Sequence, residues 1–281
     1  METVWLGLGG AGVESPLASY VFLGVVTAIA SAINSVAGGG TILTFPALVA
    51  ILPAGPAQLV IANVTSKIGL WPGALAAAWE YRHERRDQPP WAVWLLLPSL
   101  LGSLLGTALI MVLPPELFEQ LVPWLILLAA VLFAVQPRLS SWLGRHQPAA
   151  TGRAHRPSRR LLVLAAGLQF AVAVYGGYFG AGIGILMLAV LGSLELGDIH
   201  LLNGVKNVLG MVINAAATVL FAVGSLVGWT AVAWPEAGVM AVAAVAGGVA
   251  GGRLARRCSP RLIRRLVAVI GFALAGYHLL T

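Results

Sequence analysis

The stretch Asn63-Val64-Thr65-Ser66-Lys67 lies inside an apolar run from about residue 59 to residue 79. A helix of this length spans the hydrocarbon core of a bilayer, because ~20 residues at ~1.5 Å each cover its thickness of ~30 Å. Lys67 would then lie near mid-depth, where a charge costs at least ~2.5 kcal/mol and is rarely accidental. The stretch therefore predicts a membrane helix that carries a functional positive charge.

A similar stretch, Asn203-Gly204-Val205-Lys206-Asn207, lies in an apolar run of the second half of the chain. Lys67 and Lys206 are the only lysines in the sequence, and every arginine lies in a segment that we expect outside the hydrocarbon. We therefore expect two ammonium groups at matching points of two membrane helices, where they would attract a negatively charged ligand.

The composition is that of an integral membrane protein. Of 281 residues, 59% are hydrophobic and 10% charged, whereas about a quarter of the residues of a soluble domain are charged. The net charge of +7 comes from arginines between apolar spans, which indicates positive-inside topology rather than nucleic-acid binding. Cys258 is the only cysteine, so no disulfide forms within the chain. Met1 is followed by no basic region of a secretory signal, and we expect the mature protein to begin near it.

Glycines interrupt a long apolar run in each half of the chain. The run from 17 to 52 is interrupted at 34–41 by Asn-Ser-Val-Ala-Gly-Gly-Gly-Thr. The run from 161 to 194 is interrupted at 175–184 by Tyr-Gly-Gly-Tyr-Phe-Gly-Ala-Gly-Ile-Gly. Because clustered glycines favour neither helix nor strand, we expect each run to form a hairpin of two short helices that meet at a bend.

Each hairpin is followed by a lysine-bearing helix and two further apolar spans. The pattern predicts an all-α, polytopic helical membrane protein with two inverted repeats, each a Gly-broken hairpin plus three transmembrane helices. Residues 1–136 would form the first transmembrane repeat, 137–160 a cytoplasmic Arg-rich linker, and 161–281 the second transmembrane repeat.

The arginines determine the predicted orientation. All of them lie within residues 81–90, 137–160 and 253–265, so these segments should face the cytoplasm and both termini the outside. Each hairpin crosses the membrane twice or not at all, so the three single spans per half make an odd number of crossings, which inverts one half relative to the other. Inverted repeats with broken helices are typical of secondary transporters, whose substrate site lies at the repeat interface.

The two Gly-rich stretches and their Asn/Lys helices, together with Pro46, Trp71-Pro72-Gly73 and Asn214, resemble the sulfite exporter TauE/SafE family. The resemblance covers nearly the whole chain outside the linker and the termini. It implies a multi-pass exporter in the bacterial inner membrane, with a small sulfur-containing anion such as sulfite or an organosulfonate as its substrate. The lipid bilayer is then its other partner, and no cofactor, metal or enzymatic activity is expected. The anion itself, the direction of transport, the coupling ion and any homo-oligomer stay open.

An anion also fits the residues. Helix ends at a Gly-rich break present N–H donors and a partial positive charge, and no carboxylate lies deep in any predicted span. The predicted substrate-binding residues are Asn34, Gly38, Gly39, Gly40, Thr41, Asn63, Thr65, Ser66, Lys67, Tyr175, Gly180, Gly182, Gly184, Asn203, Lys206 and Asn207.

Other interpretations are open at this point. Gly-rich segments of membrane helices often serve close packing, and intramembrane asparagines often bond only to a neighbouring helix. Lys206 lies nearer its helix start and could extend to the headgroups. An intramembrane enzyme, or a structural or receptor subunit, is the alternative function. Thermal stabilisation by small anions would separate a carrier from both.

Overall fold

The computed structural model describes residues 15–37, 40–80, 89–145, 157–197 and 199–254, together with residues 269 and 272. In these ranges the chain is helical apart from short turns, and no strand occurs. Six of the described helices are long and apolar enough to cross a membrane. The prediction of an all-α, polytopic membrane protein is therefore confirmed. Most of the predicted span at 266–280, and most of the loops at 81–90 and 253–265, lie outside the described residues.

The described α-helices are α1 (Pro16–Ala37), α2 (Thr41–Ile51), α3 (Gln58–Glu80), α4 (Leu96–Val112), α5 (Pro115–Arg145), α6 (Arg159–Tyr178), α7 (Ile183–Ser193), α8 (Ile199–Leu226) and α9 (Trp234–Leu254). A short 3-10 helix, Pro90–Leu95, leads into α4. Helix α5 continues to Arg145, so the first part of the segment predicted as a linker is helical.

Each broken hairpin consists of one long helix and one short helix. Helices α1 and α6 have 22 and 20 residues, whereas α2 and α7 have 11 residues each. The short helices are only about 16 Å long at ~1.5 Å per residue, roughly half of a hydrocarbon core. The expectation of two short helices is wrong for α1 and α6, because the apolar sequence before the glycines already supplies a full span.

The first helix of each half packs against a helix of the other half. Helix α1 packs along α9, and α6 packs along α4. A Cβ atom added to Gly247 would lie 2.1 Å from the carbonyl oxygen of Ala28, and one added to Gly102 would lie 2.5 Å from that of Phe170. Small residues therefore let the backbones touch at both crossings. The same contact occurs twice, once for each half; the inverted orientation of the halves stays a prediction.

Two glycines of α9 provide a test of this packing. A Cβ atom on Gly238 would meet nothing within 4 Å, in contrast to Gly247. Because overpacking costs roughly 1–3 kcal/mol, we expect Gly247→Ala to lower the unfolding temperature in detergent by about 5 °C. Gly238→Ala should leave it unchanged or raise it by up to about 3 °C, since an exposed Gly→Ala change in a helix is neutral or stabilises by up to about 1 kcal/mol. Equal shifts in the two variants would contradict the close contact between α1 and α9.

An aromatic cluster fixes the second Gly-rich break inside the protein. Phe179, which follows α6, packs edge-on against Phe45 of α2 with ring centroids 5.6 Å apart. Phe118 of α5 lies 6.4 Å from both rings. All three side chains are fully buried. The break is thus held between the short helix of the first hairpin and α5, next to the predicted site.

Candidate functional site

The ammonium group of Lys67 contacts the end of a helix in the other half of the chain. Lys67 Nζ donates to the carbonyl oxygen of Gly176 and, at 2.9 Å, to that of Gly177. These carbonyls belong to the last turn of α6, where carbonyl groups lack partners within the helix. A cation is favourable at a helix C-terminus. With only 6% of Lys67 exposed, the charge predicted from the sequence lies in the protein interior.

Asn63 lies one turn before Lys67 on the same face of α3, since residues four apart in a helix are neighbours. Its Nδ2 donates to the carbonyl oxygen of Tyr178 at 2.9 Å, and its side chain is fully buried. Asn63 and Lys67 together therefore bind three successive carbonyls at the end of α6. This amide donor is engaged by the protein itself.

A cavity of about 30 Å³ lies beside Lys67. It is lined by Asn34, Thr41, Lys67, Leu70, Trp71, Ala74, Gly180, Ile183 and Asn214. Both Gly-rich breaks contribute to this lining. Among the described residues that line the cavity, Lys67 alone is charged and none is an acid. The volume accommodates about two water-sized groups, at ~10–15 Å³ for each.

The second break turns sharply where it reaches the cavity. Gly180 and Gly182 have φ angles of +85° and +74°, and Gly182 precedes the first residue of α7. Glycine adopts such angles without a steric penalty. The Tyr175 hydroxyl donates to the carbonyl oxygen of Ala181 at 2.6 Å, which holds the turn from within. Gly184 lies buried in the first turn of α7.

The first break is less fully described, because Gly38 and Gly39 lie outside the described residues. Gly40 N–H donates to Asn34 Oδ1 at 3.4 Å. A Cβ atom on Gly40 would lie 2.7 Å from the carbonyl oxygen of Ala30, so a larger residue would push α2 away from α1. Asn34 and Thr41, on either side of this break, line the cavity.

Thr65 and Ser66 join helices instead of lining the cavity. Ser66 Oγ lies 2.6 Å from Thr44 Oγ1 of α2, within hydrogen-bonding distance. Thr65 Oγ1 accepts a hydrogen bond of 3.1 Å from Ala233 N–H, just before α9. Both side chains are fully buried. Their hydroxyl groups thus connect α3 to two neighbouring helices.

The predicted residues of α8 lie apart from the cavity. Lys206 is 9% exposed, and its Nζ donates to Asn203 Oδ1 at 3.1 Å, one turn earlier on the same helix. Asn207 is exposed. None of the three belongs to the described lining, whereas Asn214 of the same helix does.

Trp71 and Asn214 line the cavity but were not among the site residues predicted from the sequence, although both belong to stretches that resemble the family. The available signal was a polar nitrogen within an apolar helix. In the described ranges, no group of three or more His, Cys, Asp or Glu residues could hold a metal ion.

Comparison with known proteins assigns the family. The sequence model of the family described as "Sulfite exporter TauE/SafE" matches residues 21–278. A "Probable membrane transporter protein" of Haemophilus influenzae is 27% identical over 250 residues, which cover 88% of this chain and 89% of the relative. The "Probable membrane transporter protein YfcA" of Escherichia coli K12 is 25% identical over 276 residues, 92% of this chain and 90% of the relative.

A third relative, "Probable membrane transporter protein ORF9" of a Sinorhizobium species, is 27% identical over 260 residues, which cover 90% of each chain. No solved structure matches the chain. These names describe membrane transporters and not enzymes, in agreement with the six apolar helices. Because the family match extends over most of the sequence, the chain belongs to the sulfite exporter TauE/SafE family of membrane proteins.

Proposed function

We propose that this membrane transporter exports a small sulfur-containing anion, such as sulfite or an organosulfonate, across the bacterial inner membrane. The observation that carries the proposal is the cavity in which Lys67 meets residues of both Gly-rich breaks. The family name supplies the class of substrate and the direction. Three features of the cavity support an anion as its ligand: the positive charge of Lys67, the position between the two Gly-rich breaks, and the first residues of α2 and α7 in the lining.

The charge of the lining favours an anion over a cation. A cation in the cavity would approach the Lys67 ammonium with no acidic residue in the described lining to compensate. Like charges in a weakly polar interior repel strongly. An anion would instead be attracted by the full positive charge of Lys67. The neutral polar side chains of Asn34, Thr41 and Asn214 would surround it.

The position of the cavity suits alternating access. Asn34 and Thr41 belong to the first half of the chain, and Gly180 and Asn214 to the second. In carriers with inverted repeats, the repeats move against each other around a site at their interface. We propose that the two halves move in this way and that the breaks, where the helices lack continuous backbone bonds, allow the movement.

The binding role is assigned to the cavity residues, and the other predicted residues have narrower proposals. Asn63, Thr65, Ser66 and Tyr175 would maintain the shape of the site through the bonds described above. Lys206, with Asn203 and Asn207, would contact the anion outside the cavity on its path. A purely packing role of the glycines is the alternative to their role at the anion site.

Flux of radiolabelled sulfite into proteoliposomes tests the proposal, with and without a pH gradient. We expect saturable uptake that exceeds that of protein-free liposomes at least ~10-fold, and competition by unlabelled sulfite. Methanesulfonate as competitor separates an inorganic oxyanion from an organosulfonate substrate. Uptake equal to that of protein-free liposomes, for radiolabelled sulfite and in a separate assay for radiolabelled methanesulfonate, from correctly folded protein, would contradict the proposed function.

A further inference from the structure

The indole nitrogen of Trp71 is buried and, within the described part of the chain, has no hydrogen-bond acceptor. Buried Trp N–H groups usually find a partner, because leaving such a donor unpaired is costly. Trp71 lines the cavity beside Lys67. Trp71 thus combines a buried, unpaired donor with a position in the lining of a cavity that has room for a ligand.

Trp71 continues a row of donors along one face of α3. Asn63, Lys67 and Trp71 follow one another at intervals of four residues, which places them on neighbouring turns of the same face. Asn63 and Lys67 donate to the carbonyls at the end of α6. The third member, Trp71, has no such acceptor among the described residues and lines the cavity together with Lys67.

We propose that Trp71 is a ligand-binding residue whose indole N–H donates to an oxygen atom of the anion bound beside Lys67. This inference rests on the proposed function, because it needs an anion in the cavity. Indole nitrogen is only a donor, so a metal cation or a protonated amine cannot satisfy it, whereas an oxyanion oxygen can. The Lys67 ammonium has three donor hydrogens, of which Gly176 and Gly177 occupy two.

The two residues thus have different tasks at the site. Lys67 attracts any anion by its charge, whereas the single N–H of Trp71 donates along one direction only. Trp71 would therefore fix the position of one acceptor atom of the bound anion. A water molecule in the cavity is the alternative acceptor, since the volume accommodates one.

NMR of protein labelled with 15N in its tryptophan indoles distinguishes these cases. The nine tryptophans give nine indole N–H signals, and the signal that disappears in Trp71→Phe belongs to Trp71. We expect titration with sulfite to shift this signal saturably, with the same Kd as calorimetry gives. Trp91, which is buried in the 3-10 helix outside the cavity, should keep its signal in place.

The variants give an independent measurement. We expect Trp71→Phe to bind sulfite about 10-fold more weakly than wild type, as loss of one hydrogen bond to a charged ligand predicts. Trp91→Phe should bind it with unchanged affinity. If Trp71→Phe does not fold, the signal is identified from Trp→Phe variants at the other positions and the titration of wild type decides.

The outcomes separate this inference from the proposed function. If wild type binds sulfite while the Trp71 signal stays in place, the indole bonds to water, and the inference is wrong although the proposed function stands. If wild type binds neither sulfite nor methanesulfonate, both are wrong.

Discussion

Replacement of Lys67 by methionine is expected to weaken binding of the transported anion at least ~10-fold, which corresponds to ~1.4 kcal/mol or more of lost interaction. Methionine retains much of the apolar stem and removes only the charge and its donors. In the cavity, no other described residue of the lining is charged, so nothing nearby replaces the ammonium. Calorimetric titration of the purified variant with sulfite measures the loss.

The same substitution should also lower the stability of the protein. The carbonyl oxygens of Gly176 and Gly177 lose their charged donor, and such hydrogen bonds contribute about 1.5–3 kcal/mol. The expected fall in the unfolding temperature must be measured beside the affinity, so that a folded but non-binding variant is distinguished from an unfolded one.

Lys206→Met is the matched control, because it makes the same chemical change in the only other lysine. Lys206 donates to Asn203 on its own helix and lies outside the cavity lining. We therefore expect a smaller loss of affinity than for Lys67→Met. Equal losses in both variants would indicate a long-range electrostatic effect. Unchanged affinity in both would mean that the lysines only orient helices, and the assignment of an anion site to the cavity would be wrong.

The helices were predictable because apolar length alone identifies a membrane span. The apolar runs around Lys67 and Lys206 became α3 and α8, and both glycine clusters became breaks. The relative lengths of the hairpin helices were not predicted. Helices α1 and α6 end at the glycine clusters, so their lengths follow from where the glycines lie in each apolar run.

Whether Lys67 and Lys206 occupy equivalent positions could not be read from the sequence, because this depends on which faces of α3 and α8 point inward. Two helix crossings, α3 with α9 and α8 with α4, indicate which residues of α3 correspond to which residues of α8. The carbonyl oxygen of Gly73 would lie 2.6 Å from a Cβ atom on Gly248 of α9, and that of Ile213 accepts a 2.7 Å bond from Ser103 Oγ of α4. Gly73 of α3 and Ile213 of α8 thus take corresponding places.

In this register Asn63 corresponds to Asn203, but Lys67 corresponds to Asn207. Lys206 is therefore one position away from the counterpart of Lys67, a rotation of ~100° about the helix axis. The difference agrees with the described contacts: Lys67 donates to the end of α6, whereas Lys206 donates to Asn203 of its own helix. The expectation of matching ammonium groups came from similar sequence motifs, which do not fix the direction of a side chain.

The cavity itself is a tertiary feature, and this is why Trp71 and Asn214 were missed. They lie on α3 and α8, in different halves of the chain, and nothing local indicates that they share a space. Lys67 was identified because an isolated charge in an apolar helix is costly wherever it points. A neutral indole or amide in an apolar helix costs much less than a charge, so it indicates a site less strongly.

Substitution of Gly180 by alanine is expected to reduce sulfite transport at least ~10-fold. The added Cβ atom would strain the backbone and would also obstruct the site. Gly180 has a φ angle of +85°, which costs an L-residue roughly 1–2 kcal/mol. Its added Cβ would also lie 2.8 Å from the carbonyl oxygen of Gly176 and 3.3 Å from Lys67 Nζ. The methyl group would thus separate the ammonium from the end of α6 and occupy part of the cavity.

Gly228 provides a control that isolates the second effect. It has a φ angle of +80°, close to that of Gly180, but a Cβ atom there would meet nothing within 4 Å. Gly228→Ala should therefore lose stability through the backbone alone and retain transport. Thermal unfolding and sulfite flux of the two variants, measured in parallel, separate backbone strain from obstruction of the site. If both variants transport sulfite as well as wild type, the left-handed glycine at 180 serves only to turn the chain. The Lys67 cavity would then tolerate a methyl group where we expect the anion to approach the backbone.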